Sequence, residues 1–325
     1  MRRSALLVAL VIALVGCGVG APPRSSAPRR VSLMLDWTPN PDHVGLFVAQ
    51  RELYLSRAGL AVTVRSPADP TTPLKLLAAG RTDLAISYEP ELFFAAAKHL
   101  PVVAVASVVP EPLDSVISLR PLPSIRALRG RSIGITGVPT DDAFLDTMLA
   151  HVGLARGDVR VVHVGYDLLP ALVSHRVDAI LGGYRNVEGI QLAQRGLRPS
   201  ILPVDRAGVP TYDELVVAAN SDRLVHDAAY AREVRDFVGA LAAGDRTARD
   251  DPAVALDAVS RRTQSTHAFL VRSVPATTAL LRDAPCLDET SWAAFGAWMV
   301  RRRLLARAVP ASSVATTKYL PARCR

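Results

Sequence analysis

The sequence has little cysteine, little lysine and few aromatic residues. Three Cys in 325 residues exclude a disulfide-dense scaffold, and their spacing fits no metal site. Only three of the 38 basic side chains are Lys. The basic character is therefore that of Arg, and it is scattered. No Lys/Arg run is interleaved with aromatics and no nucleic-acid motif occurs, so no nucleic-acid partner is expected. A solvated basic surface beside anionic lipid suits this pattern better. No apolar run approaches the roughly 20 residues of a spanning helix. No repeat of solenoid period is visible.

What is present begins at the N-terminus. Arg2 and Arg3 precede a nearly continuous apolar run, Ala5 to Val15. This is the form of a signal peptide, too short to remain as a membrane span. Leu14, Val15, Gly16 and Cys17 resemble a bacterial lipobox, in which the chain is cut before the Cys and the Cys is lipidated. Residues 1–16 are read as the signal peptide and residues 17–30 as the lipidated Cys17 and a flexible tether rich in Gly, Pro, Ser and Arg. About thirteen such residues reach roughly 20 Å on average. Removing residues 1–16 takes away two Arg and no acid, lowering the formal charge from +8 to +6. Cys286 and Cys324 remain in an oxidising compartment, where they could pair and staple the C-terminal tail.

The body alternates short apolar runs with helical patterns. Strands are predicted at Val31–Leu35, Ala61–Val64, Asp83–Ile86 and Val102–Val108, with helices at His43–Arg57, Leu74–Ala79 and Glu91–His99. A second unit repeats the order. Its strands are Arg131–Ile135, Val159–Val162 and Val177–Leu181, and its helices Asp141–His151, Leu168–Ser174 and Val187–Arg195. After a strand at Leu215–Ala218 the chain turns helical, with patterns at Asp222–Ala243, Pro252–Arg262 and Glu289–Leu305. Such β-α alternation implies α/β units with mostly parallel, covered sheets. Ser115–Leu119 and Glu214–Ala219 read as two crossings between units. They assign 31–119 plus 214–325 to one lobe and 120–213 to the other, with a hinge and an interlobe cleft.

Several motifs carry a family resemblance. They are L-D-W-T-P-N-P-D-H-V-G-L-F-V-A (35–49), D-P-T-T-P-L-K-L-L-A-A-G-R-T-D-L-A-I-S-Y-E-P (69–90) and G-V-P-T-D-D-A (137–143). They continue as V-G-Y-D-L-L-P-A-L (164–172), V-D-A-I-L-G-G-Y-R-N-V-E (177–188) and G-V-P-T-Y-D-E-L-V (208–216). Their order and spacing, across residues 31 to about 250, resemble the NMT1/THI5-like family of periplasmic-binding-protein folds. The resemblance is closest to its transport branch, which binds formylaminopyrimidine, a thiamin breakdown product. It implies a type II-like binding-protein fold and a substrate-binding lipoprotein of an ABC importer. It implies as partners an aminopyrimidine ligand, a permease with its ATPase, and the outer face of the cytoplasmic membrane through the lipid.

The residue chemistry agrees. Trp37 follows a strand end, at the sheet edge where open α/β sheets bind ligands. It either stacks on a planar heterocycle or packs under its own loop. Tyr88 and Glu89 follow another strand, and Tyr184, Asn186 and Glu188 follow one in the other unit. Gly182 and Gly183 allow a tight turn there. Tyr184 and Glu188, spaced i, i+4, would share a helical face. Glu188 could accept from a ring amino group or be a solvated helix charge. The resemblance carries ligand binding onto Trp37, Tyr184 and Glu188, and extends it to Asn40, His43, Tyr88 and Asn186. His43 has a capping or core role as its alternative, and Asp36 a loop-anchoring one. Asp167 reads as a helix cap, and Tyr212 and Glu214 as cleft neighbours.

Two other readings were weighed. Eukaryotic members of the family resemble pyrimidine synthases with a pocket Lys for pyridoxal phosphate and a pocket His. The corresponding segment here, Ser87 to Glu91, holds neither, and no Cys stands near 214–219 for the family's iron motif. A Schiff base needs an amine and a thiolate site needs thiols. No catalytic residue, metal or cofactor is therefore expected. An aliphatic sulfonate or taurine binder of the same fold would favour cationic groups, whereas the candidate cleft is aromatic and acidic.

Overall fold

The computed structural model describes residues 27–324. The proposed signal peptide and Cys17 lie outside the described residues. Ten strands form two five-stranded sheets. The first contains β1 (Arg29–Met34), β2 (Leu60–Arg65), β3 (Leu84–Ser87), β4 (Val102–Val109) and β10 (Leu215–Asn220) in the order β2-β1-β3-β10-β4. The second contains β5 (Asp114–Ser118), β6 (Ser132–Ile135), β7 (Arg160–His163), β8 (Ala179–Tyr184) and β9 (Ser200–Pro203) in the order β7-β6-β8-β5-β9. In each sheet four strands run in one direction, and the strand that follows a crossing, β10 or β5, lies antiparallel between two of them. The central strands are apolar on both faces because helices cover both. β4 and β10 are buried along their whole length.

Helices α1 (Val44–Arg51), α2 (Tyr54–Arg57), α3 (Pro73–Ala78) and α4 (Glu89–Ala97) belong to the first sheet's lobe, and α5 (Pro139–His151), α6 (Leu168–Val173) and α7 (Glu188–Gln194) to the second's. The chain then adds α8 (Ser221–His226), α9 (Ala228–Asp250), α10 (Pro252–Ser260), α11 (His267–Thr278) and α12 (Glu289–Arg301). α9 packs along α1, and the tail returns to the first sheet through a bridge between Ala104 and Ala315. Cys286 and Cys324 are joined by a disulfide, tying the tail to the segment before α12.

Four sequence expectations are corrected. Neither Ser115–Leu119 nor Glu214–Ala219 is itself a crossing. Leu215–Asn220 is already β10 of the first sheet, and the second change of lobe precedes it. Asp114–Ser118 is already β5 of the second sheet, and the chain changes lobe at Pro110–Leu113. A buried strand and a crossing are both short apolar runs, so pattern does not separate them. The tether ends before Arg29, since Arg29 and Arg30 pair with Leu60 and Ala61 in the sheet. Arg29 is fixed there by Asp236 at 2.5 Å and the Ala58 carbonyl at 2.8 Å. The helix at His43–Arg57 is broken at Leu53, whose φ of 60° stops α1 before α2 begins. Finally, α11 was not anticipated, because Pro275 stands inside it.

Candidate functional site

A cleft of about 970 Å³ opens between the lobes, within the range of small-molecule sites. Its walls come from strand ends. The loop after β1 supplies Asp36 and Trp37, β3 leads into Tyr88, and β8 ends at Tyr184, followed at once by Glu188 at the start of α7. Gly182, with φ of 96°, lets β8 turn at the cleft, and a Cβ there would meet the Thr136 methyl at 2.9 Å.

The first wall is held by hydrogen bonds that the sequence could not reveal. Asn40 caps the short turn Pro41–His43, its Oδ1 accepting from the Asp42 N–H at 2.8 Å. The Asn40 backbone N–H donates to His43 Nδ1 at 3.2 Å. His43 Nε2 therefore carries the proton and donates to Asp36 Oδ1 at 2.9 Å. Tyr88 Oη donates to the other Asp36 oxygen at 3.0 Å. Asp36 thus organises this wall, which agrees with the loop-anchoring alternative, and it also lines the cleft. Asn40 and Tyr88 line the cleft, while His43 is buried behind it and acts through Asp36.

On the second wall Tyr184 and Glu188 do not share a helix. Tyr184 ends a strand and Glu188 begins a helix, yet they meet, because Glu188 Oε2 accepts the Tyr184 N–H at 2.8 Å. Burial pushes the Glu188 carboxyl up to about 7. Asn186, between them, points away from the cleft. Its amide donates to Asp42 at 2.5 Å and to Thr277 of α11 at 2.8 Å, so it joins the lobes instead of lining the pocket. Trp37 meets Tyr166 of the opposite lobe edge to face, ring centroids 4.2 Å apart. Tyr166 follows β7, so it too stands at a strand end.

The floor lies at the crossings. Glu214 accepts from Tyr184 Oη at 3.2 Å and Tyr212 Oη at 3.0 Å, and from the backbone of Leu113 and Asp114. Asp141 accepts from both N–H and hydroxyl of Thr136, at 2.7 and 2.6 Å. Burial pushes Asp141 and Glu214 up to about 7. Glu214 and Tyr212 line the cleft as the sequence suggests, whereas the sequence assigns no ligand role to Asp114 or Asp141. The three carboxyls are distant in sequence, and only the topology brings them together. The cationic side chains Arg195 and Arg262 stand exposed at the mouth. Such an interior accepts hydrogen bonds, offers aromatic faces and selects against anions. Among the described residues no group of His, Cys, Asp and Glu is arranged to hold a metal ion, and no helix is long and apolar enough to cross a membrane.

Known proteins can now be compared. The chain is 39% identical over 217 residues to a formylaminopyrimidine-binding protein of Halalkalibacterium halodurans, covering 66% of each chain. It is 41% identical over 200 residues to a Haemophilus influenzae protein named for thiamine biosynthesis, covering 61% of this chain and 64% of that one. The match thus spans just under two thirds of these relatives' length. A 4-amino-5-hydroxymethyl-2-methylpyrimidine phosphate synthase of Saccharomyces cerevisiae is 26% identical over 156 residues, covering 47% of this chain and 46% of the synthase. The alkanesulfonate-binding protein SsuA of Xanthomonas axonopodis shares the fold with a TM-score of 0.70 at 18% identity, over 90% of this chain and all of that one. The two lobes are therefore those of a periplasmic-binding-protein fold. The profile of the family described as NMT1/THI5 like matches residues 40–255, two thirds of the sequence, and the chain belongs to that family.

Proposed function

We propose that this chain is the substrate-binding component of an ABC importer, exported and anchored through lipid on Cys17, and that it captures a thiamin-related aminopyrimidine without transforming it. The observation that carries the reading is the pairing of an acidic interior with aromatic walls in one interlobe cleft. Glu188 uses Oε2 on its own strand end. Its Oε1 is then available to an amino group or a protonated ring nitrogen. Trp37, Tyr88 and Tyr184 offer ring faces to a planar ligand. The name of the Halalkalibacterium relative points the same way.

Calorimetry on the purified protein tests this. Aminopyrimidines are expected to bind and alkanesulfonates not. Trp37→Ala should weaken all planar ligands alike, by about 1–3 kcal/mol of stacking. Glu188→Gln should penalise aminopyrimidines more than pyrimidines lacking the amino group, by up to about a hundredfold. Equal affinity of the Gln variant and the parent for an aminopyrimidine would remove Glu188 from the site. A sulfonate reading is favoured only by Arg195 and Arg262 at the mouth, and tight sulfonate binding would replace the present reading with it.

A further inference from the structure

The hinge brings two carboxyl groups together on the cleft floor, and among the described residues no cation pairs with either. Asp114 opens β5 directly after the first crossing, and Glu214 closes the second. They are 5% and 3% exposed, and both line the cleft. Glu214 touches the backbone of Asp114, accepting its N–H at 2.9 Å. The charged groups acting on Asp114 are the carboxyls of Glu214 and Asp141. Tyr212, bonded to Glu214, is the neighbouring hydroxyl.

Their donor sets are unequal. Glu214 accepts four hydrogen bonds, from the N–H groups of Leu113 and Asp114 and the hydroxyls of Tyr184 and Tyr212. Asp114 has two backbone donors, the Gly182 N–H to Oδ1 at 2.9 Å and the N–H of Ser115, and no side-chain donor among the described residues. Two adjacent buried carboxyls without a cation do not both ionise. The one with four donors, two of them hydroxyls, keeps the charge, and the one with only two backbone donors keeps the proton. Burial first, then the Glu214 charge, accordingly holds Asp114 well above the usual carboxylate range.

We propose that Asp114 is a specificity-determining residue, a neutral carboxylic acid whose O–H is offered to an acceptor nitrogen of the ligand's heteroaromatic ring. This rests on the aminopyrimidine reading and narrows it. An aminopyrimidine carries an acceptor ring nitrogen beside its donor amino group. A carboxylic acid carries a donor O–H beside an acceptor C=O, so the two edges match. A ligand with donors alone, such as an alkylammonium, leaves the Asp114 O–H without an acceptor and is disfavoured.

The test joins binding with a readout that needs no ligand. Asp114→Ala should lower affinity for a 4-aminopyrimidine about tenfold, and Asp114→Asn, which also places a donor beside an acceptor, should restore it to within about threefold. Parent affinity should follow a bell in pH, with the ligand's own titration measured separately. It rises as Glu188, and with it Asp141 and Glu214 elsewhere in the cleft, ionises near pH 7, and falls as Asp114 loses its proton at higher pH. The Asn variant should lose the alkaline fall. An infrared difference spectrum between ligand-free parent and Asp114→Asn at pH 7 should show a protonated carboxyl C=O band belonging to the parent. Absence of that band, or a folded Asn variant bound at least tenfold more weakly than the parent, overturns the proposal. A parent that binds no aminopyrimidine while showing the band overturns the ligand reading, and with it this recognition role.

Discussion

Asp245 is a buried acid whose surroundings serve its charge poorly. It is 3% exposed on α9, and its Oδ1 has no hydrogen-bond partner. Burial pushes its carboxyl up to about 8, despite Arg246 and Arg249 nearby. Because the folded value lies above the unfolded one, the stability tied to the neutral form is complete below about pH 4. It is lost as pH rises toward 8. Asp245→Asn removes the ionisation without changing the shape. It should raise Tm by about 5 °C at pH 7 and little at pH 4. Equal gains at both values would mean that packing, not charge, sets the cost. Asp245 also shows the limit of sequence reading, since nothing in its helical pattern separates it from a solvated acid. His43 is similar. Its alternatives were a cap, a core residue or a ligand contact, and only the distances to Asp36 and Asn40 show that it orients another residue.

Among the elements, the strands of both lobes were the most legible. Sheets covered on both faces need continuous apolar runs, and Val102–Val109 and Leu215–Asn220 have them. Strand ends were legible as the place of the cleft, and Trp37, Tyr88, Tyr184 and Glu188 all line it. Partnership across the cleft was not legible. The ring contact of Trp37 is with Tyr166, which no motif links to it. Packing of α1 on α9 positions the loop that carries Asp36 and Trp37, and it depends on two glycines. A Cβ on Gly244 would lie 2.1 Å from the Gly45 carbonyl oxygen, and one on Gly45 would lie 1.7 Å from Asp245 Oδ1. Gly244→Ala must therefore push the helices apart. A loss of about 1–3 kcal/mol in denaturant unfolding is expected. An unchanged midpoint would show that the contact is looser than drawn.

At the scale of the molecule, the lobes are drawn together by contacts that an open cleft would break. Trp37 meets Tyr166, Glu91 of α4 accepts from the Thr140 N–H at 2.9 Å, and Asn186 reaches Asp42 and Thr277. The last contact is buried and polar. Thr277 Oγ1 also donates to Asp42 at 3.0 Å, and Ser273 Oγ donates to the Asn186 carbonyl. It is also incomplete, since Asp42 Oδ2 and Asn186 Oδ1 have no partner. Burial pushes Asp42 up to about 6, and the Asn186 amide works against that rise. A latch with two unpaired acceptors is weak enough to open and specific enough to bias closure. Asn186→Ala should shift the ligand-free population toward an open form with a larger radius of gyration in X-ray scattering. Saturating aminopyrimidine should shrink it again, because contacts to both walls favour closure. Affinity should fall about threefold to tenfold, since ligand binding must now supply the closing free energy. Thr277→Val keeps the shape and removes the hydroxyl, so it should shift scattering in the same direction by less, with the circular dichroism of the parent. If both variants scatter as the parent does, with and without verified ligand, Asn186 is packing and the closed form is held elsewhere.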